Sequence, residues 1–538
     1  MTDTATPSNV AFDSPQAALQ AVDVARAAGR AEEELAAAEA AAAMAPGAFV
    51  PWMAVAGAAR RAGKFDRMAE AQARAIETAT DPLMKSRLEV DYAWTLANSG
   101  RWGEAAALAR KPRPEIAHES AVRSVLGATL ASIGAGEEAV PHLEAAARAA
   151  PARPDYWFNL AVAYNSLGRS AEALRAAERA IQASPTHMPA YELKGQLQKA
   201  TPEQSEVARL QSISARAERG PAAAKIDFVL FKQLDELDRK DEAWEALERA
   251  NRTMADQVAW SAEADKALAD AMAAAFPRSG SATRGEPRPV FIVGLPRTGT
   301  TLLERMFAAH SQVDALGELQ AMGRAVRSGA GLKDGPYMDI RVAEAADRID
   351  WDAAGRLYRD EARALSRGAP VVTDKMPPNW WYAGAIAAAL PDAVIVHVRR
   401  NPMDALFGAW KMSFGPAFEW AYRFEDLASH YGVYRRLTHH WRTTLGEAFV
   451  DVDYEALVGD PASVLPGLLE ACGLAFEEAC LQPHLAAGAV NTPSAGQVRE
   501  PVSSGKVEAW RRYTEQLEPL RALLEKDGWV DRDGAPTA

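Results

Sequence analysis

Cysteine is scarce: the 538 residues include two, Cys472 and Cys480. Two thiols are too few for a disulfide scaffold or a zinc site. Positive charge is not in excess, because the formal net charge is −12. That argues against a general binder of nucleic acid or anionic membranes. No run approaches the roughly 20 apolar residues of a membrane span. The opening "MTDTATPSNVAFDSP" has neither a basic n-region nor an apolar h-region, so no signal peptide is expected. These absences lead to the expectation of a cytoplasmic, soluble protein that works without a metal.

A further absence is local. In "VFIVGLPRTGTTLLERM" at 290–306, four apolar residues run into Gly294 and a helical pattern begins at Thr301. A Walker loop needs Lys before its Ser/Thr, and usually a strand-end Asp to hold Mg²⁺. Here Thr300 stands in place of that Lys, and the strand "AVIVHV" ends in Arg399 and Arg400. Asp374, the nearest acidic candidate, is followed by a Lys that would compete with a metal. A metal-dependent nucleotide hydrolase is therefore disfavoured.

What is present in the front half is alanine, and it repeats. The chain reads as helix after helix to about residue 275. "YWFNLAVAYNSLGRSAEALRAAERAIQASP" contains Trp157, Leu160, Ala161, Tyr164, Ala173, Ala180 and Pro185. That order of small and large residues resembles the tetratricopeptide repeat (TPR), a 34-residue helix-turn-helix. Steps of that length carry Ala161 back to Gly127 and Ala93 and forward to Gly195. They carry Ala173 back to Ala139 and Ala105, and Pro185 back to Pro151. Trp52, Ala56 and Ala75 suggest an earlier repeat; Phe231, Ala243, Leu247 and Ala250 suggest a later one. Between them Pro202, and a forward step from Ala173 that lands on Val207, mark an interruption. A stacked solenoid presents surfaces to peptides or proteins. The expected layout is a disordered tail at 1–13, a TPR-like solenoid at 14–276 and a Pro/Gly/Ser-rich linker at 277–289. A catalytic domain at 290–530 and a disordered tail at 531–538 complete it.

From Val290 strands alternate with helices. "VFIV", "PVVTD", "AVIVHVRR" and "AFVDVDY" read as strands. Helical patterns cover 301–309, 379–389, 402–410 and 462–472. Such alternation implies a parallel sheet covered on both faces, with ligands at the carboxyl ends of the strands. Arg297, Lys375, Arg400 and Tyr454 all fall at or just after such ends. The loop itself can hold an anion. Gly294 and Gly299 allow a sharp turn, its N–H groups and a helix N-terminus face inward, and Arg297 adds a planar, fixed charge. Thr298, Thr300 and Thr301 add hydroxyls.

The longer pattern "VGLPRTGTTLLE" resembles the 5′-phosphosulfate loop of sulfotransferases, enzymes that use 3′-phosphoadenosine-5′-phosphosulfate (PAPS). The resemblance implies donor contacts at Pro296, Arg297, Thr298, Gly299, Thr300 and Thr301. "VRRNPMDALFGAW" resembles the 3′-phosphate segment, with Arg400 at its contact position. "VDYEALVGDP" resembles the segment that brings a Tyr to the nucleotide, here Tyr454. "TPSAGQVREPVSSGKVEAW" resembles the loop that closes over the donor, with Ser494, Gln497 and Val498 in place. "TDKMPPNWW" resembles the segment with a catalytic Lys, here Lys375. Solenoid plus catalytic half is similar to the bacterial TPR sulfotransferases, and the catalytic half is similar to protein-tyrosine sulfotransferases. The implied fold is α + α/β: an all-helical TPR solenoid followed by a P-loop-type α/β domain with a parallel sheet.

The implied reaction is in-line sulfuryl transfer, in which positioning and charge stabilisation dominate. The tyrosine-sulfotransferase resemblance makes Glu318 in "DALGELQAM" the base that takes the acceptor proton; a helix cap or solvated side chain is its alternative. His310 is a rival base, read as structural. Lys375 would stabilise the bridging oxygen, or else pair with Asp374 or Glu318. Arg297 would bind the sulfuryl oxygens. Arg399 is read as structural. Tyr454 would contact the nucleotide or simply pack. Trp380, Trp381, Trp410 and Trp420 would line an acceptor pocket or belong to the core.

Three positions depart from the family. Gly408 stands where a Ser is usual, eight residues after Arg400. Met412 stands where tyrosine sulfotransferases have a basic residue, with Lys411 adjacent. Ala509 stands where a Lys or Arg precedes Trp510, with Lys506, Arg511 and Arg512 as substitutes. The reading is PAPS-dependent sulfuryl transfer to a hydroxyl, favouring a polypeptide recruited by the solenoid. A carbohydrate, lipid or small-molecule acceptor is the second reading. A non-catalytic scaffold with a weakened donor site is the third. A homodimer is compatible with each.

Overall fold

The computed structural model describes residues 12–276, 284–332, 336–486, 488, 490 and 497–537. These fall into two compact units. One is Met1–Ala150 with Gly331–Pro336 and contains the helices up to Ala149; the other is Pro151–Ala330 with Tyr337–Ala538 and contains the later helices and the α/β domain. The expected tail at 1–11, most of the expected linker (277–283) and Ser494 lie outside the described residues.

The first unit is a run of helix pairs: Pro15–Ala27 with Ala31–Met44, Phe49–Arg61 with Phe65–Thr78, Pro82–Asn98 with Trp102–Ala109, and Ser120–Ser132 with Gly136–Ala149. Alanine is the best helix former and its short side chain lets helices approach closely. Ala56, Ala75, Ala93, Ala105 and Ala139 are all buried. Gly127 is the tightest of the repeat positions. A Cβ there would lie 2.5 Å from Leu143 Cγ, so the partner helix occupies the space a side chain would need. The turn inside each pair carries its own repeat: Gly29, Gly63, Gly100 and Gly134 all have φ between 69 and 83°. The pair that begins at Pro15 escaped the sequence comparison, which started at Trp52.

The second unit opens with the repeat that carries the strongest signature, Pro154–Ser166 with Ser170–Ala183. Helix Met188–Leu197 follows, and the regular spacing then breaks. Val207 starts a short additional helix, Val207–Ser214, and is buried there. That insertion is why the step from Ala173 misses. Helices Pro221–Glu236, Lys240–Ala255 and Ala262–Ala275 complete the helical part. These last helices pack directly on the α/β domain. Asn251 Nδ2 donates to the Trp410 carbonyl at 3.1 Å, and Asp265 Oδ2 lies 2.8 Å from His430 Nδ1. The Trp244 ring lies 4.9 Å from that of Trp410 and 5.4 Å from that of Tyr513.

The sheet has five strands: β1 (Arg288–Val293), β2 (Val313–Ala315), β3 (Val371–Asp374), β4 (Val394–Arg399) and β5 (Phe449–Asp453). Their order is β2-β3-β1-β4-β5 and every neighbouring pair is parallel. Val290 is in register with Thr373 on one side and Val394 on the other. One face carries Val290, Ile292, Val396, Val398 and Val452 against Leu303, Phe307 and Leu465. The four expected strands are present, within a residue or two. β2 has three residues and is too short to signal itself by periodicity. The helix expected at 379–389 begins as a 3₁₀ turn, Pro377–Tyr382, forced by consecutive prolines, and becomes α-helical at Ala383–Ala389. Among the described residues six α-helices went unread: Ala321–Gly329, Ile340–Ala345, Trp351–Leu365, Phe424–Leu445, Tyr454–Gly459 and Glu518–Lys526.

One expectation is corrected at the end of the chain. Residues 531–537 form a closed turn rather than a disordered tail. Asp531 Oδ1 accepts from the N–H groups of Asp533 and Ala535, both at 2.9 Å. Asn401 Nδ2 donates to the Gly534 carbonyl at 3.1 Å.

Candidate active site

β1 is the central strand, so the loop after it emerges between the ends of β3 and β4. Gly294 leaves β1 with its Cα against the neighbouring strand: an added Cβ would lie 2.7 Å from the Val398 carbonyl oxygen. Its N–H donates to the Pro377 carbonyl at 3.1 Å, tying the loop to the segment beyond β3. Pro296 and Thr298 are buried within the loop. The Thr298 hydroxyl donates to the Leu295 carbonyl at 2.8 Å. That hydrogen bond holds the loop in shape. Arg297 has φ 69°, a left-handed conformation that costs a non-glycine residue about 1–2 kcal/mol. Gly299, φ 103°, precedes the helix Thr300–Ala308. Thr300 and Thr301 fill its first turn, and the positive end of the helix dipole faces the loop.

Tyr454 begins the helix Tyr454–Gly459 at the end of β5 and forms a wall of the loop. A Cβ at Gly299 would sit 2.3 Å from Tyr454 Cδ2. The Arg400 guanidinium lies over the same ring, 4.5 Å from its centroid. Arg400 also donates to the Arg297 carbonyl at 2.9 Å and to the Lys506 carbonyl at 2.6 Å. Gly408 lies beneath Arg297, and a Cβ there would come within 3.1 Å of Arg297 Cβ. The missing Ser therefore makes room for the arginine stem.

Positive charge gathers here. Burial lowers the Arg297 guanidinium, and the Arg400 charge adds to the shift. The Lys411 ammonium is pushed down to about 8, first by burial, with Arg297 and Arg400 adding and Asp235 opposing. Lys506 is lowered by burial and by the same two arginines, with Glu500 opposing. Four cations are thus held close enough to repel one another, an arrangement that an anion relieves. Lys411 and Lys506, which stand beside Met412 and Ala509 in the sequence, are the lysines coupled electrostatically to Arg297 and Arg400. Arg511 and Arg512 do not. Arg512 is drawn to Asp235 and Asp238, each at 2.7 Å. Arg511 pairs with Glu508 and lies over Trp510. Asp404, which the sequence did not single out, keeps the Lys506 segment in place. Its carboxylate accepts from the Glu508 N–H at 2.7 Å and the Trp510 N–H at 3.0 Å.

On the other side of β1, Lys375 follows β3. It is fully buried and its Nζ is ion-paired with Glu318 Oε1. Glu318 is 40% exposed. The two residues expected to react are therefore adjacent, and the ion pair weighed for Lys375 is formed with Glu318. Asp374 is buried just before Lys375, and burial pushes its carboxyl well above the ordinary range. Glu304, on the loop helix, was also missed. Its Oε1 accepts the Gly317 N–H at 3.0 Å.

The remaining expectations divide. Arg399 faces away and pairs with Asp453 at 2.9 Å. His310 is structural: its Nε2 donates to the Ala475 carbonyl at 2.8 Å and its Nδ1 accepts from the Gln312 N–H at 3.1 Å. Trp380, Trp381, Trp410 and Trp420 are all buried. Trp380 stacks on Trp381 with centroids 4.3 Å apart, and Trp420 on His430 at 4.2 Å. They are core, not acceptor-pocket lining. Gln497 opens a short 3₁₀ turn, Gln497–Arg499. Val498 packs with Val490 against Leu302 of the loop helix. The Ser166 carbonyl, at the end of a repeat helix, accepts from the Val490 N–H at 2.9 Å and from Arg499 Nη2. Among the described residues, no group of three or more His, Cys, Asp or Glu is placed to hold a metal ion. No helix among them is long and apolar enough to cross a membrane.

A parallel sheet with a cation-lined loop after its central strand, preceded by helical repeats, defines an α/β domain suited to hold an anion, in a chain that also carries repeats. Residues 289–478 match the sulfotransferase family model and residues 154–197 match the tetratricopeptide repeat model. The chain therefore carries a sulfotransferase domain and a TPR. A protein of Aquifex aeolicus described as uncharacterized is 28% identical over 411 residues, 73% of this chain and 53% of its own length. The nodulation protein NoeE of Sinorhizobium fredii is 28% identical over 144 residues, 24% of this chain and 33% of its own. This chain thus spans about half of the first relative and a third of the second. Among solved structures, the sulfotransferase domain of the Synechococcus olefin synthase is 19% identical with a TM-score of 0.31. That match covers 44% of this chain and 91% of that domain.

Proposed function

We propose that this protein is a cytoplasmic, PAPS-dependent sulfotransferase that moves a sulfuryl group to an acceptor hydroxyl. One observation carries the reading: Arg297, Arg400, Lys411 and Lys506 converge on a loop that has no Walker lysine. When bound, PAPS supplies a sulfuryl group on a phosphate leaving group. Arg400 and Lys506, with Lys411 behind them, would hold the 3′-phosphate. The loop N–H groups and the hydroxyls of Thr300 and Thr301 would hold the 5′ end. Tyr454 forms the wall beside Gly299, and Val498 belongs to the segment that covers the loop helix; Gln497 and Ser494 would complete it. Arg297 would bind the sulfuryl oxygens. These cations carry the charge stabilisation that a metal supplies elsewhere.

Glu318 takes the acceptor proton on its carboxylate. Before transfer the Lys375 ammonium is held by that carboxylate. As negative charge grows on the bridging oxygen, Lys375 is drawn to it and Glu318 is left to receive the proton. The preferred acceptor is a polypeptide hydroxyl of tyrosine type, delivered by the repeats. Support comes from the repeat at 154–197, which shares a compact unit with the site and touches it through the Ser166 carbonyl. Gly408, Met412 and Ala509 motivate a second reading, a scaffold with a weakened donor site. Lys411 and Lys506 weigh against it.

The test is calorimetric titration of the full chain with PAP, the desulfated donor. Micromolar or tighter binding, weakened by Arg400→Ala about tenfold or more, is expected. With labelled PAPS and a panel of peptide, carbohydrate and lipid acceptors, Glu318→Ala should abolish product while PAP binding persists. Absence of PAP binding would leave the scaffold reading; unchanged turnover in Glu318→Ala would remove Glu318 as the base.

A further inference from the structure

Glu304 lies one helical turn beyond Thr301 on the loop helix and is only 5% exposed. Burying a carboxylate is costly unless something compensates. The compensation here is specific. Glu304 Oε1 accepts the Gly317 N–H at 3.0 Å. Gly317 has φ 74° and forms the turn just before Glu318. The Gly317 carbonyl in turn accepts the Lys375 N–H at 2.9 Å and the Leu319 N–H at 3.2 Å. The Lys375 ammonium closes the ring on Glu318. Four residues from three segments are thereby linked: the loop helix, the turn after β2 and the residue after β3.

We infer that Glu304 is a positioning residue that fixes the Gly317–Glu318 turn and so aligns Glu318 with Lys375. The inference rests on the proposed roles of Glu318 and Lys375, because only then does their alignment matter to turnover. A glutamine would satisfy the hydrogen bond equally well. The choice of a carboxylate has a further effect through charge. The groups facing Glu304 are Lys375, Glu318, Asp374 and Arg305. Burial raises Glu304 to about 7; Glu318 adds to the rise, while Lys375, the Gly317 N–H and Arg305 oppose it. Near neutrality its charge is thus divided between two states, each adjusting the balance around the buried lysine.

The sign for stability follows. Between the ordinary glutamate value of 4.5 and about 7 the folded chain binds more protons at Glu304 than the unfolded chain. Its contribution therefore falls as pH rises through that window.

The test compares Glu304→Gln and Glu304→Ala in the full chain by hydrogen–deuterium exchange of a peptide spanning 313–320, alongside PAP calorimetry and turnover of PAPS. Glu304→Ala should speed exchange in that peptide about tenfold and lower kcat about tenfold or more, with the PAP Kd within about twofold of wild type. Glu304→Gln should keep wild-type exchange and make the fall in apo-protein stability between pH 5 and 7 shallower, with the share from Asp374 left in place, a readout that a mere space-filler would not move. Wild-type exchange in Glu304→Ala would overturn the inference, as would a loss of PAP affinity equal to the loss of kcat. If the exchange results hold but wild type binds no PAP, the donor reading falls while the hold of Glu304 on the turn stands.

Discussion

Gly299→Ala is the perturbation whose effect the structure defines most closely. Two costs add at this position. The first is conformational: φ is 103°, and a left-handed backbone costs an alanine about 1–2 kcal/mol. The second is steric: the new methyl would lie 2.3 Å from Tyr454 Cδ2 and 2.7 Å from Cε2. Overpacking of this kind costs about 1–3 kcal/mol. The sum is about 2–5 kcal/mol, concentrated in the anion loop. A second substitution separates the two parts. Tyr454→Ala removes the ring and its contact with Arg400, but leaves the backbone angle as it is. The pair Gly299→Ala and Tyr454→Ala should therefore couple favourably by about 1–3 kcal/mol in a double-mutant cycle, while the conformational cost persists in the double variant. The assay is PAP titration by calorimetry, with thermal unfolding as control. Gly299→Ala should weaken PAP binding at least tenfold, and Tyr454→Ala should restore part of that loss. Wild-type affinity and stability in Gly299→Ala would refute the geometry of the loop. Full additivity would refute the contact with Tyr454.

Raising pH should act on Lys411 in opposite directions. Its folded value is depressed to about 8, so between pH 8 and 10 the unfolded chain binds more protons and apo stability rises with pH. PAP affinity should fall over the same range as the cation is lost; Lys411→Met should flatten both trends in melts and titrations. Gly408→Ser should tighten PAP binding up to about tenfold by adding a hydroxyl donor. It should nonetheless lower kcat, because its Cβ would press within 3.1 Å of Arg297 Cβ; a simultaneous rise in both quantities would show that the arginine yields freely.

Sequence and structure agree best where a pattern is local. The strand before Gly294, the repeat around Ala161 and the helix Pro402–Trp410 each sit in one continuous stretch with its own periodicity, and each is found as read. The cation cluster was only half legible. Arg297 and Arg400 stand at strand ends, which topology exposes. Lys411 and Lys506 could be read only as neighbours of Met412 and Ala509, one among several candidates, because it is the return of helix Pro402–Trp410 and of the segment held by Asp404 to the loop that singles them out. Glu304 was hidden by its own helix, where a glutamate is an ordinary residue; its partner is an amide thirteen residues on. The tryptophans misled in the other direction. Their spacing suits a pocket as well as a core, and Trp380 stacking on Trp381 decides for the core. The C-terminal turn is closed locally by Asp531, but its anchor is the bond from Asn401 to the Gly534 carbonyl, and Asn401 is distant in the chain.

The helices from Pro154 to Ala275 share one compact unit with the sheet, and this bears on how such a protein can be assembled in evolution. The Pro/Gly/Ser-rich stretch at 277–289 invites a cut, yet a fusion made there would strip Trp244 from Trp410 and Tyr513 and leave His430 and Arg512 without Asp265 and Asp235. The smallest heritable piece that keeps those aromatic faces dry includes the later repeats. The repeats from Pro154 onward are therefore inherited with the sheet as one piece, and the stretch at 277–289 is not a seam between modules.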